Sequence, residues 1–292
     1  MESQGETPKG RRIMVTFDID GTLIRSTGSS SNHLHRQAFA HAFLQVFGLQ
    51  DATIDVVQHH GQTDPLILVN AAIHYGVPPD VARERLPEMK LKMIEYAKEH
   101  TGEVGEGLEV LPGVTSLLDN LSSNNVTIGL WCVASVVGVI ISGGLGGDAD
   151  GTRGVLDVLL AGRHKCAFVQ EDLKVTGNLE EIAWIKMDGL GIRKYFTIPN
   201  FGGFGSDHTD RGELVKIATE RGQKISTELF ELRVHVGDTP NDIKAAEYGG
   251  ALAVGVCTGI FTEAELKQAS SGTAIILPDL TDSKAFMKLL GI

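Results

Sequence analysis

Two short segments place acids where a strand gives way to a turn. In "TFDIDGTL", Asp18 and Asp20 stand two residues apart at the end of an apolar run, so both side chains can project to one side and face one ligand. Gly21 lets the chain turn away sharply and Thr22 can hydrogen-bond locally. The plainer alternative is a surface turn, in which Asp and Gly are ordinary residues. In "HVGDTPNDIKAA" a strand again runs into Gly-Asp and then a helix start. Thr239 suits the N-cap, Pro240 the first turn and Asp242 the third helical position, where a carboxylate favours the helix dipole. Capping accounts for Asp242 but leaves Asp238 without a task. If both loops lie at one sheet edge, four carboxylates converge. Like charges about 4 Å apart repel by roughly 4 kcal/mol at an effective dielectric near 20, so some must protonate or a cation must bind. Hard oxygen ligands with little His or Cys nearby point to magnesium.

Such acids need a sheet to position them. Short apolar runs followed by helical patterns recur, which favours an α/β parallel sheet over a bundle or an all-β fold. "IMVTF", Ile13 to Phe17, reads as a buried strand. From Asn32 to His100 only helix-like periodicity follows; in "DPLILVNAAIHYG" Asp64 can cap, Pro65 suits the first helical position and Gly76 the end. After "LPGV" the alternation returns: a helix "VTSLLDNL", a strand from Val126, a helix from Asn178, a short strand "YFTI" and a helix from Asp210. Then come a strand "RVHVG", a helix from Thr239, strands "ALAVGV" and "AIIL", and a last helix "SKAFMKLL". Ligands of these sheets sit outside the carboxyl ends of the strands, where the acids stand.

"DIDGT" followed far downstream by "GDTPND" resembles the first and last motifs of the haloacid dehalogenase-like hydrolases, specifically the phosphoglycolate-phosphatase-like members. The resemblance implies a Rossmann-like three-layer parallel core at 13–24 and 110–292, with a helical cap at 25–109 inserted after the first strand. It implies a nucleophile at Asp18 and a general acid/base at Asp20. Magnesium is then held by Asp18, the backbone carbonyl of Asp20 and Asp238, with Asp242, Gly21 and Thr22 in support. Members that cleave carbon–halogen bonds typically lack the second acid, so Asp20 argues for phosphate esters. "VTGNLEEIA" supplies the hydroxyl of the pattern, Thr176, beside Gly177, with Asn178 and Glu181 in capping-box spacing. "SDHTDRGELVKIA" supplies Arg211 for the transferring phosphoryl group, with Lys216 as the alternative. "GQTDPLI" is similar to a cap segment of these relatives, which would bring Gln62, Thr63 and Asp64 toward the ligand, although capping by Asp64 explains it equally. The pairs His33 with His35 and His59 with His60 lack a metal constellation and read as surface residues.

The expected activity is therefore magnesium-dependent hydrolysis of a small phosphorylated metabolite, phosphoglycolate leading by resemblance. A phosphomutase of the same kind and a non-catalytic protein disabled by an insertion are the alternatives. Composition narrows the partners. A formal charge of −11 opposes a nucleic acid backbone. Cys132, Cys166 and Cys257 form no CxxC spacing, and the polar "MESQGETPKGRR" lacks the apolar run of a signal peptide, so a cytoplasmic location is expected.

"VTIGLWCVASVVGVIISGGLGG", Val126 to Gly147, complicates this picture. It is uncharged and long enough for a membrane helix, yet it starts as the second core strand and is rich in glycine, so no membrane is expected. One reading extends the strand to Ser135 as the phosphate-binding hydroxyl. The other joins Leu130 to Val175, giving "VTIGLVTGNLEEIA", and leaves 131–174 as an atypical insertion from a retained intron or gene-model error.

Overall fold

The computed structural model describes residues 11–28, 32–57, 63–131, 178–208 and 211–292. Strand β1 (Ile13–Phe17) is buried throughout and lies in the middle of a six-stranded parallel sheet of order β5-β4-β1-β6-β7-β8. The others are β4 (Thr127–Trp131), β5 (Gly202–Gly203), β6 (Leu232–Gly237), β7 (Leu252–Val256) and β8 (Ile275–Leu277). Phe17 pairs with Leu130 on one side and Val236 on the other, so the β1 and β6 loops leave the sheet side by side.

Alternation along the strands builds the two faces. Ile13, Val15 and Phe17 of β1 join Ile128 and Leu130 of β4, Val234 and Val236 of β6, and Val254 and Val256 of β7 in one apolar face. Helices α5 (Val114–Ser123), α6 (Glu180–Gly189) and α10 (Ser283–Leu290) contribute to that core through Leu117, Met187 and Phe286. Against the opposite face, α7 (Arg211–Ile225), α8 (Pro240–Tyr248) and α9 (Glu263–Ala269) supply Leu214, Ile243 and Leu266 to smaller clusters. The result is the expected three-layer α/β core.

The helical insertion after the first strand is also present. Strands β2 (Ile24–Ser26) and β3 (Leu108–Val110) pair antiparallel, bringing its entry and exit together. Between them lie α1 (His33–Phe47), α2 (Asp64–His74), α3 (Pro79–Glu84) and α4 (Leu86–Glu99). Their apolar core includes Phe39, Phe43, Leu68 and Met93 and is completed by Leu179, just before α6, and Ile182 of α6. Helix α6 thus packs into both cores.

Three local expectations are corrected. "YFTI" forms no strand: Tyr195 closes a short 3₁₀ turn, and Gly202–Gly203 supplies the edge strand instead. Thr197 donates its N–H to the Ile128 carbonyl at 3.1 Å, but its own hydroxyl accepts the Ile128 N–H at 2.8 Å, a side chain standing where a ladder would need backbone. Asp64 does not cap α2; Thr63 does, accepting from the Leu66 N–H at 3.3 Å, while Asp64 turns elsewhere. Strand β4 runs through Trp131 rather than ending at Leu130, and the Trp131 ring is buried edge-on to His235 with centroids 4.1 Å apart. The expectations for 132–174 lie outside the described residues.

Candidate active site

Asp18, Asp20, Asp238 and Asp242 are all buried at the carboxyl edge of β1 and β6. Asp18 follows β1 directly, its N–H donating to the Val236 carbonyl at 2.9 Å. One carboxylate oxygen from each of Asp18, Asp238 and Asp242 lies within 4.8 Å of the others. The turn after β1 is closed by the N–H groups of Leu23 and Ile24 donating to the Ile19 carbonyl at 2.9 and 3.0 Å. Gly21 takes φ +94° there, and a Cβ on it would lie 2.3 Å from Asp238 Oδ2. Thr22 is buried and its hydroxyl reaches Asp238 Oδ1 at 3.4 Å.

The β6 loop is held by its helix. Thr239 caps α8, its hydroxyl accepting from the Asp242 N–H at 3.3 Å, while Asp242 Oδ2 accepts from the Thr239 N–H at 2.8 Å. Asp242 therefore caps the helix and faces the carboxylate group at once. The loop after β7 completes the enclosure: the Thr258 hydroxyl donates to the Gly21 carbonyl at 2.5 Å, and a Cβ on Gly259 would meet Asp238 Oδ2 at 1.7 Å. Burial first, then the Asp242 carboxylate, push the Asp238 carboxyl well above the usual carboxylate range. Three buried hard oxygen donors, one of them with its proton affinity raised by burial and a neighbouring carboxylate, are a donor set suited to a divalent cation.

Asp20 goes a different way. Its Oδ1 and Oδ2 accept from Lys186 Nζ at 3.0 and 2.9 Å, and Oδ2 also accepts from Asn178 Nδ2 at 2.9 Å. Lys186 donates to Asn178 Oδ1 at 3.1 Å and is only 1% exposed. The expected capping box of Asn178 and Glu181 does not form: Leu179 precedes α6 without a side-chain cap, because Asn178 is engaged with Asp20 and Lys186. The Leu179 N–H instead donates to Asp64 Oδ2 at 3.0 Å. Asp64 Oδ1 lies 3.0 Å from His35 Nε2, with both side chains fully buried. His35 is thus not a surface residue; an α1 position facing the insertion's own core took it inward, whereas His33 is partly exposed.

Of the remaining candidates, Thr63 is buried and caps α2, and Lys216 is half-buried, pairs with Glu213 at 2.8 Å and lies over the Tyr248 ring. Lys216 therefore behaves as a solvated helix charge. Arg211 opens α7. Its side chain and the expectations for Gln62, His59, His60, Thr176 and Gly177 lie outside the described residues. Lys186 belongs to none of the motifs above, although the sequence carries a signal for it. Lys186 falls three and four residues after Ala183 and Ile182, on the apolar stripe of α6, where an unpaired lysine would be costly.

Residues 222–283, which include β6, Asp238 and Asp242, match the family model described as HAD-hydrolase-like. The fold is that of the haloacid dehalogenase-like hydrolases. A hydrolase from Pseudomonas syringae superposes with TM-score 0.51 at 19% identity, over 96% of this chain and 99% of the other. A structure from Haemophilus somnus described as a predicted phosphoglycolate phosphatase gives TM-score 0.51 at 15% identity, over 94% and 97%. No curated protein matches the chain in sequence. In this haloacid dehalogenase-like fold the buried acids occupy the carboxyl edge of the sheet, beside the helical insertion. Among the described residues no helix is long and apolar enough to cross a membrane.

Proposed function

We propose that the chain is a magnesium-dependent phosphatase of a small phosphorylated metabolite, phosphoglycolate-like in size, with the helical block 25–109 acting as its cap. The observation that carries this reading is the buried convergence of Asp18, Asp238 and Asp242 next to Asp20. Asp18, Asp238 and, through its backbone carbonyl, Asp20 would hold the cation, with Asp242 beside them. Bound there, magnesium would offset the carboxylate charge and let an anionic phosphate approach.

Asp18 attacks phosphorus and forms an aspartyl phosphate as the ester oxygen departs. Asp20 gives that oxygen a proton and later takes one from the water that cleaves the acyl phosphate, restoring Asp18. Thr176 with the Gly177 amide, and Arg211 at the start of α7, are proposed to hold the phosphate oxygens. Burial of the acids and the insertion above them exclude competing water.

Phosphate release from a panel of phosphomonoesters with magnesium tests the reading, with Asp18→Asn as the control. Activity in the wild type and none in the variant supports it. An isomer with little free phosphate would make the protein a mutase, and inactivity on every ester would sink the catalytic reading. We also propose that 131–174 is foreign to the active enzyme. A chain joined from Leu130 to Val175 should then be the more active form; a spliced message lacking those codons would agree, and abundant native protein containing them would refute it. That junction replaces buried Trp131 by Val175 in β4, so joining Trp131 to Val175 is the matched control.

A further inference from the structure

We infer that Lys186, with Asn178, is the positioning residue for Asp20, and that it leaves one oxygen of that carboxylate, Oδ1, as the one that works on the leaving group. The inference rests on the phosphatase reading and adds residues which that reading does not use. Each carboxylate oxygen offers about two lone-pair sites. Among the described residues Oδ2 uses both, toward Lys186 and Asn178, whereas Oδ1 uses one, toward Lys186. The carboxylate is therefore fixed against rotation with a single acceptor position open.

The ammonium is equally committed. Its three donors meet Asp20 Oδ1, Asp20 Oδ2 and Asn178 Oδ1, all within 3.1 Å. A lysine on the apolar stripe of a helix is a poor stabiliser, since a thioether of similar length fills such space without desolvating a charge. What the lysine adds is direction. Asn178 is itself held: the Gly205 N–H donates to its carbonyl at 3.0 Å, and the next residue, Leu179, is tied to Asp64 of α2 at 3.0 Å. The carboxylate is thus aimed by a helix, a loop and the cap together.

Wild type, Lys186→Met, Lys186→Arg and Asn178→Ala, each as the full chain, should be compared on 4-nitrophenyl phosphate and on an alkyl monophosphate. Nitrophenolate departs with little need of a proton, whereas an alkoxide needs one. With Lys186→Met, kcat/KM on the alkyl ester should fall on the order of 10²-fold further than on the nitrophenyl ester, within the usual span of general acid catalysis. Lys186→Arg should recover part of the difference, and Asn178→Ala should show a smaller selective loss. Equal losses on both esters, or none, overturn the inference while leaving the phosphatase reading intact. A wild-type chain inactive on both overturns the two together. If Lys186→Met proves unfolded by circular dichroism, the folded Asn178→Ala decides, equal losses there again refuting the inference.

Discussion

After β1 the first acid, Asp18, joins the carboxylate group and the second, Asp20, is drawn away to Lys186 and Asn178; after β6 both acids, Asp238 and Asp242, stay in the group. The two loops use similar residues at the same sheet edge. What separates their second acids is the partner each finds. Asp242 is three residues into a helix start and binds the N-cap, so its position is set locally. Asp20 is set by residues 158 and 166 positions downstream. Local chemistry placed one acid and tertiary packing placed the other.

The sharpest way to break this contrast is to remove one acid from each role. Asp18→Asn should abolish phosphate release, a loss of at least about 10⁴-fold by the measure of other hydrolases deprived of their nucleophile. Asp20→Asn should lose on the order of 10²–10⁴-fold on alkyl esters and less on nitrophenyl phosphate. Equal sensitivity of the two variants across esters would mean the two acids of the β1 loop share one role after all.

A smaller but still large effect comes from the wall between the loops. Gly259→Ala sets a methyl where Asp238 Oδ2 now lies and must displace that carboxylate. A displacement near 1 Å costs on the order of 10² in rate. It should also weaken magnesium binding, read by calorimetry. Gly105→Ala, at a position with open space and no left-handed backbone, is the comparison for any general effect of the substitution on the chain.

Much of this was legible in the sequence because its causes are short-ranged. "IMVTF" and "SKAFMKLL" form their strand and helix at the expected residues, each carrying its own period and boundary signals. Thr239, Pro240 and Asp242 likewise announce a helix start, and the structure forms the capping box. What was hidden depends on partners distant in the chain. Asn178 has the residue type and spacing of a cap, yet Asp20 and Lys186 compete for its side chain and win. His35 stands beside His33 in sequence, but one helical position faces Asp64 and the core while the other faces outward. The edge strand at Gly202–Gly203 carries no apolar pattern at all, so no periodicity could locate it.

The carboxylate group itself predicts how stability follows pH. Asp238 has a raised carboxyl in the folded chain, so the fold favours its protonated form. Its contribution to stability is fully present below the unfolded value of 3.8 and is lost as pH rises through the raised folded value. A divalent cation takes the place of the missing proton. Magnesium should therefore raise Tm more at pH 8 than at pH 5, by up to about 2.7 kcal/mol of added stability when its concentration is 100 times Kd. Asp238→Asn should abolish that difference. An equal rise at both pH values, measured by scanning calorimetry, would show that Asp238 does not face the ion.

The smallest effect separates the two loops once more. Thr239 and Thr22 are both buried threonines that touch an acid of the group, but Thr239 caps a helix and Thr22 reaches Asp238 only at 3.4 Å. Thr239→Ala removes the cap and the 2.8 Å bond to Asp242 Oδ2, and should cost about 1 kcal/mol in urea unfolding. Thr22→Val keeps the volume and gives up one long hydrogen bond, so it should cost less than that. If Thr22→Val proves the more damaging, the β1 turn depends on its hydroxyl as strongly as the β6 loop depends on its cap. The stability of both loops would then be set locally, and only the direction of Asp20 would remain to tertiary packing.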